Sequence, residues 1–313
     1  MTSNGWKDPS RPRVIALGTF DGVHRGHQEL IRQGKRIAEE TGAVLRVCTF
    51  DSHPMEVLCP ERAPKRLTDP GEQLRRLKAA GAEEVQVIPF TWETAETEPE
   101  TFLNMLRKDC EIAALVAGWN YTFGRRGRGT VRTLEADGRA HEYRVMIVPP
   151  VTTEEGTVIS STAIRERLSA GDIARANEML GYPYPITGPV VHGVHRASGL
   201  GSPTANIRCS EKKQLPAYGV YAGILTCGAE SWHALINIGI QPTMPSGEVK
   251  VEAWAMNMGQ GRDLYVQEAE AALLFRLRPE IRFPDPEALR RQIAKDREDA
   301  EALLAETAAR RGP

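Results

Sequence analysis

Along the first 180 residues, short apolar runs alternate with stretches whose apolar positions recur every three or four residues. The runs at 14–17, 44–50, 84–89, 113–118 and 143–148 read as buried strands, and 25–41, 70–80 and 99–110 as amphipathic helices. Such alternation predicts an α/β layer, a parallel, Rossmann-like sheet covered on both faces. A helix over 171–180 closes the pattern, and Gly181-Tyr182-Pro183-Tyr184-Pro185 breaks it, which predicts a boundary between domains 1–183 and 184–313. Beyond the break, runs rich in Val, Ile and Tyr at 186–194, 219–226, 231–239, 249–256 and 268–277 predict a small antiparallel β-barrel. A charged amphipathic helix over 284–304 is expected on the barrel, with residues 308–313 frayed.

Composition narrows this picture only at its edges. A chain of 313 residues can hold two cores, and 41% hydrophobic with 26% charged residues is ordinary for a globular protein. The formal net charge of -1 gives no general pull toward nucleic acid or acidic membranes. No apolar run approaches the roughly 20 residues that span a bilayer, and residues 1–13 lack the apolar core of a signal peptide. Cys48, Cys59, Cys110, Cys209 and Cys227 are scattered, which argues against a disulfide framework or a zinc site and fits a reducing cytoplasm.

Chemistry concentrates first at Gly18-Thr19-Phe20-Asp21-Gly22-Val23-His24-Arg25-Gly26-His27, between the first strand and the first helix. Strand, glycine-rich turn and helix start bind phosphate through free N–H groups and the helix dipole. His24 and His27, three residues apart, lie on one face of that helix start, and Gly26 lets a phosphate approach the backbone. Two imidazoles so placed can stabilise charge on a phosphoryl group in flight, and no Ser or Cys nucleophile stands beside them. A surface histidine pair or half of a metal site is the plainer alternative for His-x-x-His alone.

Three further segments stand at strand ends or a helix start, where such sheets bind ligands. They are Thr49-Phe50-Asp51-Ser52-His53-Pro54, Gly118-Trp119-Asn120-Tyr121-Thr122-Phe123-Gly124 with the basic loop Arg125–Arg128, and Ile159-Ser160-Ser161-Thr162-Ala163-Ile164-Arg165. Ser160 or Ser161 can cap a helix, with Thr162 and Arg165 one turn apart on its opening face as a second phosphate grip. A capped helix with a surface arginine, aromatic core residues, and a satisfied loop histidine at His53 are the corresponding plain readings.

In its Gly-x-Phe-Asp-Gly-Val-His-x-Gly-His form, the first segment resembles the first signature of the nucleotidylyltransferase superfamily, and specifically the bacterial bifunctional riboflavin kinase/FMN adenylyltransferases, or FAD synthetases. The Ser160–Arg165 segment resembles the superfamily's second signature, which holds the ATP triphosphate. The resemblance implies that His24 and His27 are catalytic, and that Gly18, Phe20, Asp21, Gly26, Asn120, Ser160, Ser161, Thr162 and Arg165 bind ATP and its phosphates. It implies flavin contacts from Phe50, His53, Tyr121 and Phe123. Asn120 stands where many relatives carry Asp.

The second half extends the resemblance to about Asp296. Gly201-Ser202-Pro203-Thr204-Ala205-Asn206 is similar to the Gly-x-Pro-Thr-Ala-Asn signature of riboflavin kinases. By that likeness Gly201, Pro203, Thr204 and Asn206 bind nucleotide phosphates, and Thr204 and Asn206 hold Mg2+, which suits oxygen ligands. Val251-Glu252 resembles the Val-Glu that supplies the catalytic carboxylate, and Asn237-Ile238-Gly239 with Pro242-Thr243 matches further. Departures gather here: Trp254 replaces a usual His, Asn257-Met258 a usual Asp-Phe, Val266 a Gly and Ser202 a Phe. The resemblance implies a cytoplasmic transferase making FMN from riboflavin and FAD from FMN, each with ATP. Its partners are these small molecules, with no nucleic acid and no membrane, in a monomer or transient oligomer. The alternative keeps FMN adenylyltransferase alone, with the barrel's kinase weakened or inactive. Outside enzymology stand a flavin-responsive regulator and an RNA-binding protein using Arg125–Arg128.

Overall fold

The computed structural model describes residues 10–191, 204–240, 249–256, 258 and 267–311. By compactness the chain divides into two units, Met1–Ser161 and Thr162–Pro313.

The first unit opens with β1 (Arg13–Leu17), α1 (Arg25–Thr41), β2 (Val44–Phe50), α2 (Pro54–Leu58), α3 (Pro70–Ala79) and β3 (Glu84–Ile88). It continues with α4 (Trp92–Ala95), α5 (Pro99–Asp109), β4 (Ile112–Gly118), the short hairpin of β5 (Thr122–Phe123) and β6 (Gly129–Thr130), α6 (Val131–Ala140) and β7 (Arg144–Val148). The five long strands form one parallel sheet in the order β3-β2-β1-β4-β7. The chain fills one side of β1 with β2 and β3, then restarts on the other with β4. The topological switch therefore lies between β1 and β4, and the crevice beyond their carboxyl ends is where such a sheet takes ligands.

All five residues of β1 are buried because both sheet faces are covered. Val14 and Ala16 pack with Leu30, Ile31 and Ile37 of α1, while Ile15 and Leu17 pack with Phe102, Leu103 and Leu106 of α5 and Leu134 of α6. The expected strands and the three helices of this half are all present. Helix α6 is additional. Its only buried positions are Leu134 and Gly138, and a Cβ at Gly138 would stand 2.6 Å from Val145 Cγ2. Close approach demands the glycine that makes the segment read as a loop.

At the amino ends of the strands sits a charged knot. Arg13 donates through Nε and Nη2 to the Glu84 carboxylate at 3.1 Å each, and Arg46 Nε reaches the same group at 2.9 Å. Arg46 also pairs with Asp109. Both arginine side chains are 1% exposed and Glu84 10%.

The second unit begins with α7 (Ser161–Ala170, whose first residue ends the first unit) and α8 (Ile173–Leu180). Then come β8 (Tyr184–Val191), β9 (Thr204–Ile207), β10 (Gly219–Cys227), β11 (Glu230–Ile240), β12 (Val249–Ala255), β13 (Glu268–Arg278) and α9 (Pro286–Arg311). The six strands close into an antiparallel barrel in the order β10-β11-β12-β9-β8-β13. Strand β9 fell in a stretch with the look of a polar loop, and pairing with β12 and β8 makes it a strand. Helix α9 runs on to Arg311, through residues expected to fray. The division at Ser161/Thr162 groups α7 and α8 with the barrel, whereas the proline-rich break set the expected domain boundary at 183/184.

Pairing registers separate the barrel's two faces, since directly opposed residues share a face. Tyr221, Ile236, Ala253 and Ala205 lie in one set, all fully buried, and form the interior. Val220, Ala222, Leu235 and Trp254 lie in the other and are covered by Ala300 and Leu304 of α9. Asp296, 3% exposed, clamps α9 in place by accepting from Arg278 Nε at 2.9 Å and Nη2 at 2.7 Å and from Gln292 Nε2 at 2.9 Å.

Glu84→Gln keeps the shape of the charged knot but leaves two buried guanidiniums short of a counter-charge, which should lower the first unit's stability by about 3–5 kcal/mol in urea titrations. Arg36→Ala, which removes the exposed 3.7 Å pair with Glu40, should change it by less than about 1 kcal/mol.

Candidate active sites

The first site is built on a turn that the backbone resists. Leaving β1, the chain passes through positive φ at Phe20 (52°), Gly22 (82°) and Val23 (36°) before helix α1 begins. A β-branched valine there is strained, on the order of 1–3 kcal/mol, and strain of this kind persists only where the surroundings over-determine it. Phe20 and Val23 are buried in the sheet–α1 core. The Asp21 carboxylate accepts from Leu67 N at 2.9 Å and Thr68 N at 3.2 Å, and Thr68 Oγ1 accepts from Gly22 N at 3.1 Å. Thr49 and Gln73 donate to Thr19 O at 3.0 and 2.7 Å. Gly18 N donates to Cys48 O at 3.3 Å. Asp21, implied as a nucleotide contact, here ties the turn to residues 67–68, and sequence carries no sign of that long-range tie.

The result is His24 at the N-cap of α1, 6% exposed, with Nδ1 accepting from His27 N at 3.3 Å. With Nδ1 occupied as an acceptor, Nε2 is the ring nitrogen that carries a proton. The two imidazoles stack with centroids 3.6 Å apart, and Phe20 lies 5.1 Å from His27 on a tilted plane. His27 Nδ1 is buried with no hydrogen-bond partner. Burial, and next the neighbouring His24, hold the His27 pKa well below 6.5, so it is neutral at pH 7. Gly26 is needed for the stack's position: a Cβ there would sit 3.1 Å from the His24 ring and 3.7 Å from Ile159 O.

That carbonyl brings in the next segment. Ser161 Oγ, on the last residue of the first unit, donates to Asp21 O at 2.8 Å, and Ser160 precedes it. Thr162 and Arg165 follow on the first turn of α7 and are counted with the second unit. Across the switch, Asn120 is exposed just past the carboxyl end of β4. Tyr121 stacks on Phe123 at 5.7 Å, while Phe123 packs against Phe102 at 5.6 Å as a core residue. At the end of β2, Phe50 meets Phe90 edge-on at 5.0 Å. His53 caps α2, its Nδ1 accepting from Met55 N at 3.1 Å, with Glu56 closing a capping box. In the basic loop Arg125 pairs with Glu96 at 2.7 Å and Glu98 at 3.4 Å, and Arg128 with Glu98 at 3.5 Å, so two of its three arginines have acidic partners.

The second site lies on the barrel's outer face. Glu252 is opposed by Asn206 on β9 and by Asn237 on β11, and Trp254 by Thr204, which sets these five side chains on one surface, with Trp254 at its edge under α9. The Glu252 carboxylate makes no ion pair among the described residues, and Asn206 Oδ1 is buried without a partner. Gly201 and Pro203 lie outside the described residues, as do Ser202, Pro242, Thr243, Asn257 and Val266. Among the described residues no group of three or more His, Cys, Asp or Glu is placed to hold a metal.

Comparison with known proteins matches both units. The FAD synthetase family model covers residues 7–163 and the riboflavin kinase model residues 180–304. A bifunctional riboflavin kinase/FMN adenylyltransferase of Listeria monocytogenes is 36% identical over 309 residues, 97% of this chain and 96% of that protein. The chain belongs to the bifunctional riboflavin kinase/FMN adenylyltransferase family. The Bacillus subtilis member is 35% identical across 94% of this chain and 93% of its own length. A crystal structure described as a macrolide-efflux protein from Streptococcus pneumoniae, 32% identical, superposes with a TM-score of 0.84 over 94% of this chain and 95% of that one. No helix among the described residues is long and apolar enough to cross a membrane.

The double role of His24 can be separated. Asn is a strong N-cap but lacks the imidazole donor, so His24→Asn should keep the unfolding midpoint while losing FAD formation about 10²–10³-fold. His24→Ala should lose a comparable rate and, in addition, about 1 kcal/mol of stability in urea melts. For His27 the folded pKa lies below the unfolded one, so between them the unfolded chain binds more protons. Its contribution is complete above pH 6.5 and is lost as pH falls. Wild-type stability should therefore decline more steeply than that of His27→Gln from pH 6.5 downward, measured by urea unfolding at each pH.

Proposed function

We propose that the chain phosphorylates riboflavin to FMN on the barrel and adenylylates FMN to FAD at the His24–His27 turn, each step using ATP. The observation that carries this reading is the coexistence of two separate equipped sites: a strained turn ending in stacked imidazoles, and an outward row with a free carboxylate between two asparagines.

In adenylyl transfer, an FMN phosphate oxygen attacks the α-phosphorus of ATP in line. The new P–O bond forms as the bond to the bridging oxygen breaks, and pyrophosphate leaves. His24 donates through Nε2, and neutral His27 adds a second imidazole from the same helix start, to the phosphate oxygens that gain charge. Backbone N–H groups of the first turn of α1 supply further donors. Because the turn is strained before substrate arrives, these donors are aimed without reorganisation.

In phosphoryl transfer, Glu252 accepts the proton of the ribityl hydroxyl as its oxygen attacks the γ-phosphorus, and ADP leaves. Mg2+ would be held by Thr204 and Asn206 together with the nucleotide phosphates, where it would neutralise charge. The buried, unpartnered Asn206 Oδ1 suits that role, and a cation that keeps most of its ligands from phosphate and water needs no acidic cage. The substrates are small molecules. The locally paired Arg125 and Arg128 give nothing that favours an RNA site, and the use of ATP supports a cytoplasmic location.

Pure protein incubated with riboflavin and MgATP should accumulate FMN and then FAD on chromatography. Glu252→Gln should slow FMN formation about 10²–10⁴-fold and leave FAD formation from supplied FMN intact, and His27→Ala should do the reverse. FAD formation from FMN with no riboflavin phosphorylation by wild type would restrict the function to adenylyl transfer. Loss of both activities in either folded variant would refute separate sites.

A further inference from the structure

Trp254 carries a donor that its packing does not use. The residue is 8% exposed, its ring set among Val220, Leu235, Ala300 and Leu304 with the Arg297 guanidinium 5.6 Å from the ring centre. Its Nε1 is buried and has no hydrogen-bond partner. As apolar filling, an indole is a poor choice, because an orphaned buried N–H destabilises the fold where a phenyl ring would not. Orphans of this kind are uncommon, and this one has a counterpart. Asn206 Oδ1 is likewise buried and unmet, but it is an acceptor.

Register sets the two groups around Glu252. Asn206 lies directly across β9–β12 from Glu252, and Trp254 is two residues further along β12 on the same face, opposite Thr204. A diagonal of that kind spans about 7–8 Å, within reach of one ligand lying over the carboxylate. The ligand must offer a cation or a donor to Asn206 and an acceptor to Trp254. A metal-bound polyphosphate offers both at once. The Arg297 guanidinium on the ring face is itself paired with Glu301 at 2.8 Å, so what points to a phosphate oxygen is the buried donor of Trp254 and the buried acceptor of Asn206 on one face.

We infer that Trp254 is a nucleotide-phosphate ligand of the barrel site, donating from Nε1 to a phosphate oxygen of the ATP whose magnesium meets Asn206. The inference rests on the reading of this face as the kinase site. The apo protein therefore holds an unsatisfied donor that only the nucleotide relieves.

The test compares full-length wild type, Trp254→Phe and Arg297→Ala. Trp254→Phe keeps an aromatic ring under α9 and removes the N–H. Its KM for ATP in riboflavin phosphorylation should rise about tenfold, with the KM for riboflavin and the KM for ATP in FAD formation from FMN unchanged. Calorimetric titration with magnesium ADP should resolve two sites in wild type, and Trp254→Phe should weaken one of them about tenfold while leaving the other. Arg297→Ala removes the cation but not the donor, so it should lower the melting temperature with a smaller effect on ADP binding. An unchanged ADP affinity in Trp254→Phe, or a rise in riboflavin KM in place of ATP KM, would overturn the inference. So would an equal loss of ADP binding in both variants, since packing alone would then explain it. Absence of riboflavin phosphorylation in wild type would instead remove the kinase reading on which the inference stands.

Discussion

The first unit depends on a helix that starts on an imidazole. His24 Nδ1 meets the His27 N–H where α1 begins, and that bond decides which nitrogen of His24 carries the proton. The turn that delivers it runs through positive φ at three of the four residues Phe20–Val23. It is held there by buried Phe20 and Val23, by the Asp21 carboxylate on residues 67–68, and by two donors to Thr19 O. Folding energy from the sheet core is thereby converted into a fixed orientation of the His24 imidazole at the head of α1.

The two units solve the same problem by different means. In the sheet, the candidate chemistry sits beyond the carboxyl ends of the parallel strands β1 and β4, whose onward connections run to opposite sides. The barrel has no such crevice of its own making. Its polar groups form a row across β9, β12 and β11, next to a strip that α9 keeps dry, and the Arg278–Asp296 clamp fixes that helix against the strip. The row is legible only from strand register, because Asn206, Asn237 and Glu252 are far apart along the chain.

Much of this was written plainly in the sequence. Buried parallel strands are continuous apolar runs, so β1, β2 and β4 declared themselves, and a run of helical period ending before Gly42 fixed α1. The His24–His27 turn was visible because its residue types have few other uses at that spacing. Helix α6 was hidden by Gly138, which close packing requires, and β9 by polar residues that face the outer row. The anchoring of Asp21 to residues 67–68 has no local signature at all, since it depends on where α3 is entered. His53, implied as a flavin contact, also closes a helix cap through Nδ1, a role that pattern alone does not assign.

The placement of the barrel's polar row on its outer face has an evolutionary consequence. Interior positions such as Ala205, Ile236 and Ala253 answer to volume, whereas Glu252 and Asn206 lie on the outward face and are released from that constraint. Adjacent residues on one strand thus fall under unrelated selection. The inside can drift by compensating changes of size without retuning the reaction, while the outside can exchange a wall residue, as at position 254, without endangering closure of the barrel. A lineage can in this way rework the affinity of one active site while the scaffold beneath it, and the second enzyme on the same chain, stay as they were.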